Sequence, residues 1–249
     1  PYKVEITEVT DENGDGRIDL SDVEYLMRNK KNTMTLLEGD GDFRSPECVE
    51  LLKEADIVVT NPPFSLFRDY VALLMQYNKQ FAIIGNQNAI TYREIFPLIK
   101  SNKIWLGYNN GHYWFMVPDS YEEKKTDFKI DESGQKWRRM GNICWFTNLD
   151  IEKRHEDMTL FRTYSPDIYP KYDNYDAIEV SKTADIPCDY DGYMGVPITF
   201  MQYYNPEQFE IAGLDDHRVE WVGHGPRLNG KVKYRRVIIR RKQVNINEN

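Results

Sequence analysis

The sequence predicts an α/β protein, a parallel sheet with helices on its faces followed by a smaller, irregular α+β part. Three observations carry this. Short β-rich runs alternate with helical patterns along the first part of the chain. Two of those runs, Asp56–Thr60 (DIVVT) and Phe81–Gly85 (FAIIG), are continuous and apolar, as strands covered on both faces are. From about Asp150 the texture changes to Tyr, Pro and Asp without helical periodicity, as in YSPDIYPKYDNY at Tyr164–Tyr175. The expected division is 1–150 and 151–249.

Each element has its own reason. Tyr2–Val9 alternates apolar and polar residues and reads as a strand. Asp11–Asp19 is an acidic turn, and Ser21 can cap a helix with Val23, Leu26 and Met27 on one face. Thr33–Leu37 is a short strand and Gly39–Ser45 a polar loop. Pro46 then suits the first position of a helix running to about Glu54. After Asp56–Thr60, two prolines force the chain out of the strand. Ser65 can cap a helix to about Tyr77, with Leu66, Tyr70, Leu73 and Leu74 on its apolar face. A helix containing Ile95, Leu98 and Ile99 is started or kinked by Pro97. Tyr113–Val117 and Asn142–Thr147 are strands without a helix between them, and Asp131–Gln135 is a polar turn. This stretch is expected to close the sheet edge as an antiparallel hairpin. Further on, Ala177–Val180 and Phe209–Ala212 read as strands. Asn229-Gly230 marks a turn before a basic strand, Val232–Arg241.

With 41% apolar and 13% aromatic residues among 249, the chain can build a core, which excludes disorder for most of it. No apolar run approaches the roughly 18–20 residues needed to span a bilayer. Pro1-Tyr2-Lys3-Val4-Glu5 lacks the order of a signal peptide. Cys48, Cys144 and Cys188 are far apart, which fits a reducing cytoplasm and neither a zinc cluster nor a disulfide framework. His112, His155 and His217 show no metal-binding spacing.

The sharpest motif is Asn61-Pro62-Pro63-Phe64, directly after an apolar strand. One reading is a rigid strand-to-helix turn. The other accounts for every residue. The Asn61 side-chain oxygen can accept from an exocyclic amino group, and Pro62 leaves its carbonyl free to accept from the same group. Pro63 stiffens the loop, and Phe64 offers a face for stacking on a base. Ligands of open α/β sheets bind beyond the carboxyl ends of strands, where this tetrad falls.

The tetrad with its context resembles the EcoRI-type adenine-specific DNA methyltransferases. ADIVVTNPPFSLFRDY (Ala55–Tyr70), IIGNQNAITYREIFPLIKSNKIWLG (Ile83–Gly107), GNICWFTNLD (Gly141–Asp150) and YDGYMGVPITFMQYYNPEQFEIAG (Tyr190–Gly213) all carry the resemblance. It implies a Rossmann-like class I methyltransferase sheet with a small target-recognition part. It also implies methyl transfer from S-adenosylmethionine to N6 of adenine in double-stranded DNA, for restriction–modification, in the cytoplasm. Asn61 and Pro62 would hold the amine in line, Pro63 would stiffen the loop, and Phe64 would stack on the extruded base. Asp40, Asp42 and Phe43, in EGDGDF, would hold the cofactor's adenine, and Glu8 its ribose. The tetrad alone is shared with RNA-guanine and protein-glutamine methyltransferases, so those substrates stay open, as does a DNA-binding remnant without activity. The resemblance also implies a Gly-rich loop after the family's first strand. Nothing before Glu38 fits one, since Gly14 and Gly16 stand in an acidic turn. The chain is therefore expected to be N-terminally truncated. Its sheet, lacking a central strand, would expose a long apolar edge.

The net charge of −8, from 32 basic and 40 acidic residues, at first opposes a nucleic-acid partner. Its distribution says otherwise. Lys231–Lys242 (KVKYRRVIIRRK) holds seven basic residues and no acid, leaving 25 basic against 40 acidic residues elsewhere, a charge of −15. Lys231, Lys233, Arg235, Arg236, Arg240 and Arg241, with Arg227 and His224 nearby, are candidates for DNA phosphate contact. The alternative is a charged, solvated edge strand. Tyr169, Tyr172 and Tyr175 are either contacts or packing. Finally, Asp11, Asn13, Asp15, Arg17, Asp19 and Asp22 follow the spacing of a calcium loop, with Asp22 where a bidentate Glu is usual. The alternative there is a polar strand-to-helix turn.

Overall fold

A computed structural model describes residues 1–28, 33–214 and 225–242. The chain forms two compact units, Pro1–Asp56 and Ile57–Asn249.

In the first unit, β1 (Tyr2–Glu5) pairs with β2 (Thr33–Leu36), Tyr2 opposite Leu36. The pairing is antiparallel and forms a two-stranded sheet of its own, not part of a parallel sheet as the alternation suggested. A polar loop leads from β1 into α1 (Leu20–Arg28). Ser21 lies inside that helix. The side chain at its entrance is Asp19, whose Oδ1 accepts the Ser21 N–H at 2.8 Å and hydroxyl at 2.7 Å. A carboxylate one turn-residue earlier reaches the open amides that Ser21, already helical, cannot. At α2 (Pro46–Glu54) the expectation holds: Pro46 occupies the first turn, and Ser45 accepts the Cys48 N–H at 3.2 Å.

Among the described residues, the second unit carries two larger sheets and a two-stranded hairpin. In the first, β3 (Ile57–Thr60), α3 (Phe67–Gln76), β4 (Gln80–Asn86), α4 (Phe96–Lys100), β5 (Trp105–Met116), β6 (Phe128–Ile130) and β7 (Lys136–Thr147) follow one another along the chain. The strand order is β3-β4-β7-β5, with β6 on β7. Only β3 and β4 pair in parallel, whereas β7 runs antiparallel to both β4 and β5. β5 and β7 are much longer than the predicted hairpin strands, and Asp131–Gln135 turns β6 into β7 rather than β5 into β7. β3 is not covered on both faces. It is the outermost strand, and Ile57 and Val59 are 49% and 66% exposed. Phe67, Val71 and Leu74 bury the inner side of α3, and the Phe67 ring lies 5.0 Å from that of Phe146 on β7. Gly85 on β4 makes room for both: a Cβ there would stand 2.6 Å from Phe67 and 2.9 Å from Phe146.

The second sheet contains β8 (Ala177–Glu179), β9 (Tyr193–Val196), β10 (Phe209–Leu214) and, after the hairpin β11 (Arg227–Leu228) and β12 (Lys231–Val232), β13 (Val237–Arg241). Its order is β10-β13-β9-β8. Asn229 and Gly230 turn the hairpin with φ of +52° and +73°, the left-handed pair that a tight two-residue turn requires. The predicted basic strand is thus split in two. Its second half is a central strand, not an edge: Val237, Ile238 and Ile239 are fully buried between β10 and β9. Three apolar residues in succession need cover on both faces, which outweighs the charged flanks. Tyr169 and Tyr172 are buried, and the Tyr172 and Tyr175 rings stack at 4.5 Å, so this cluster is packing. No helix among the described residues is long and apolar enough to cross a membrane.

Candidate active site

The tetrad leaves β3 at its carboxyl end. Asn61 is exposed, Pro62 buried and Phe64 41% exposed. Two consecutive prolines keep the next residues from entering an α-helix directly. Instead Phe64–Leu66 make one 3₁₀ turn, in which the Leu66 N–H donates to the Pro63 carbonyl at 2.9 Å, and α3 begins only at Phe67. Ser65 therefore lies inside the 3₁₀ turn and does not cap α3, whose first residue follows Leu66 without a side-chain cap. Among the described residues, neither the Asn61 amide nor the Pro62 carbonyl has a hydrogen-bond partner. Two acceptors are thus open at one strand end, with an aromatic face beside them.

Because β3 and β4 are parallel, the segment after β4 emerges at the same end of the sheet. It makes a 3₁₀ turn, Gln87–Thr91, and the following residues meet the start of α3. The Arg68 guanidinium lies 3.8 Å from the Glu94 carboxylate and 5.7 Å from the Tyr92 ring centroid. Thr91 accepts a 2.7 Å hydrogen bond from the Arg235 guanidinium, 144 residues later. The basic segment between β12 and β13 is thereby fixed to the turn that follows β4. Sequence reasoning missed Thr91, Arg68 and Tyr92, whose roles depend on contacts far apart in the chain.

Behind that segment sits a buried ion pair. Arg236 donates to Glu179 at 2.6 Å, and the two side chains are 13% and 4% exposed. The Tyr172 hydroxyl donates to the other Glu179 oxygen. Burial raises the Glu179 carboxyl, but the Arg236 and Tyr172 hydrogen bonds outweigh it and hold the group below its usual range. Burial and the Glu179 bond push the Tyr172 hydroxyl far up, so it stays a donor. A lone Glu in the apolar run AIEV was the available sequence signal, since a buried acid needs a counterion. Glu179 also walls an open cavity of about 600 Å³ with Phe161, Ile168, Asp185 and Lys233.

The other basic candidates divide. Arg240 is paired with Glu210 at 2.7 Å, and Arg241 donates to the Cys188 carbonyl. Arg227, Lys231, Lys233 and Arg235 are exposed. His224 lies outside the described residues.

The predicted cofactor residues lie in the first unit. Asp40, Asp42 and Phe43 share the loop between β2 and α2, while Glu8 is exposed beyond β1. Arg44 grips the Asp42 carboxylate through both oxygens, at 2.9 and 2.6 Å, and holds it down at about 2. The guanidinium also sits 5.3 Å from the Phe43 ring centroid. Asp40 accepts the Asp42 N–H at 3.0 Å, while Asp42 is committed to Arg44.

Asp11, Asn13, Asp15, Arg17 and Asp19 lie in the loop before α1 and Asp22 in its first turn, and the Asp and Asn side chains accept from the backbone. Asp11 accepts the Gly14, Asp15 and Gly16 N–H groups at 2.7, 3.1 and 2.8 Å. Asp22, fully buried, accepts those of Glu12, Asn13 and Asp19 at 2.8, 3.2 and 2.9 Å. Among the described residues, no three acidic, His or Cys side chains converge as metal ligands. A polar strand-to-helix turn makes such bonds as well.

Comparison with known proteins adds family evidence. Residues 1–242 match the family described as adenine-specific methyltransferase EcoRI. The Type II methyltransferase M.EcoRI of Escherichia coli is 51% identical over 83% of this chain and 64% of its own length. The Type II methyltransferases M.MgeORF184P of Mycoplasma genitalium and M.MpnI of Mycoplasma pneumoniae are 42% and 41% identical, over 88% and 83% of this chain and 75% and 70% of their own lengths. This chain thus spans less than two thirds of the E. coli relative. No solved structure gives a significant match.

Proposed function

The chain belongs to the adenine-specific methyltransferase EcoRI family, and from that premise we propose that it methylates N6 of adenine in double-stranded DNA, as part of a cytoplasmic restriction–modification system. The observation that carries this reading is the pair of open acceptors, Asn61 and the Pro62 carbonyl, at the end of β3 beside the exposed Phe64 ring.

The chemistry asked of these residues is positioning. Adenine's amino group has two N–H donors, and one acceptor for each directs its nitrogen lone pair away from them. Pro62 and Pro63 fix the acceptors before substrate arrives, so little is lost in ordering them. Phe64 stacks on the extruded base and offsets part of the few kcal/mol that extrusion costs. S-adenosylmethionine, when bound, supplies an electrophilic methyl group. Asp40 and Phe43 are the residues assigned to its adenine, and Glu8 is the weaker candidate for its ribose.

The sheet is read as Rossmann-like, with β3, β4 and β5 running one way and β7 alone reversed. Residues 151–249 are assigned to target recognition. Phosphate contact is assigned to the exposed Arg227, Lys231 and Lys233, because Arg236, Arg240 and Arg241 are held by protein groups and Arg235, also exposed, already donates to Thr91. The test is transfer of labelled methyl to duplex DNA, RNA and a glutamine-containing peptide, with Asn61→Ala beside the wild-type chain. Label in DNA that Asn61→Ala abolishes is the expected result. Label in RNA or peptide alone would move the substrate, and an undiminished Asn61→Ala would remove the assigned role.

A further inference from the structure

We propose that Tyr234 is the side chain that takes the place of the target adenine in the duplex stack once that base is extruded. The inference rests on the methyltransferase reading above and adds a positioning residue to it.

The backbone around Tyr234 is held on both sides. The Lys233 N–H donates to the Pro226 carbonyl at 2.7 Å. Arg235 reaches Thr91 at 2.7 Å, and Arg236 is locked to the buried Glu179. Between these anchors Tyr234 is 89% exposed, the most exposed of the large apolar and aromatic side chains described. An exposed Tyr on an untethered loop would carry little meaning. Here the tether leads to Thr91, at the sheet end where β3 releases the tetrad.

Physical chemistry assigns the rest. Extruding a base leaves a gap whose neighbours have each lost a stacking partner. An aromatic ring recovers part of that loss with any neighbouring bases, since every base has a π-face. Tyr adds a hydroxyl that can bond to the orphaned partner base or a phosphate. The cations on either side, Lys233 and Arg235, place positive charge where the two backbones would run. Phe64 is not available for this, because it is assigned to the extruded base. Phe161 is also strongly exposed, but it lines the cavity beside Glu179.

The experiment uses the whole chain with S-adenosylmethionine. Sequencing the adenines methylated by the wild type defines the site, and duplexes are then made with the target adenine either paired to thymine or opposite a non-pairing base. On the paired duplex, Tyr234→Ala is expected to slow transfer about ten-fold or more and Tyr234→Trp to stay near the wild type. The mismatch is expected to bring Tyr234→Ala within about three-fold of the wild type, because a mismatched base leaves the stack at lower cost. Unchanged transfer by Tyr234→Ala on the paired duplex, or equal loss on both duplexes, overturns the proposal and leaves the methyltransferase reading intact. No transfer by the wild-type chain removes both.

Discussion

The Arg236 guanidinium lies 2.6 Å from the Glu179 carboxylate in a nearly sealed part of the second sheet. Removing one partner leaves the other charge buried and uncompensated. Glu179→Ala is therefore expected to cost about 3–5 kcal/mol of stability, read as a lower urea midpoint. The double substitution Glu179→Leu with Arg236→Met should recover much of that loss, because neither charge then remains to be desolvated. A single Glu179→Ala with an unshifted midpoint would mean that the pair is not holding β8 to the segment before β13.

Gly85 leaves room on β4 for the Phe67 ring of α3. A methyl group there would meet the rings of Phe67 and Phe146 at 2.6 and 2.9 Å. Gly85→Ala is expected to destabilise by about 1–3 kcal/mol through overpacking. It should also slow methyl transfer, since Phe67 begins the helix that follows the tetrad turn. Thermal melting and transfer rate measured on the same preparation check both.

Phosphate contacts release counterions, so each one steepens the salt dependence of DNA binding. Lys233→Ala is expected to make the slope of log K against log salt shallower by about 0.9. Arg240→Ala should leave that slope unchanged, because Glu210 already occupies its charge. Equal slopes for wild type and Lys233→Ala would take Lys233 off the interface.

Asp131 organises the turn before β7. Its carboxylate accepts the Ser133 hydroxyl at 2.6 Å, the Trp137 indole N–H at 2.7 Å, and the Ser133 and Gln135 N–H groups at 3.0 Å each. These bonds, the Ser133 hydroxyl foremost, hold its pKa down at about 2 from 3.8. A depressed folded-state pKa gives stability that is full above 3.8 and is lost as pH falls towards 2. Exchange of the Trp137 indole proton should accelerate through that window in the wild type. In Asp131→Asn the window should vanish.

What was legible in the sequence was local. The tetrad, the strand before it and the helix after it are set by neighbouring residues, and so are Pro46 at α2 and the Asn229-Gly230 turn. Where the sequence reading went astray, a long-range partner decided. DIVVT reads as a doubly covered strand, yet β3 is the outermost one, and nothing in those five residues encodes position in a sheet. The cations of KVKYRRVIIRRK read as one exposed set, yet Glu179, Glu210 and the Cys188 carbonyl, each more than 25 positions away, claim three of them. Ser65 failed as a cap for a nearer reason, since the double proline inserts a 3₁₀ turn first.

The position of β13 between β9 and β10 has a consequence for biogenesis. β9 and β10 are earlier in the chain but do not pair with each other. A ribosome that has made both has not yet made the strand that joins them. β9 then has only β8 beside it and β10 has no neighbour in this sheet, so the apolar Val196, Phe209 and Ile211 wait for their partners until Val237–Arg241 has emerged. The Arg235 bond to Thr91 becomes available only in that same stretch of synthesis. The nascent chain is most exposed to aggregation in the stretch of synthesis before β13 appears.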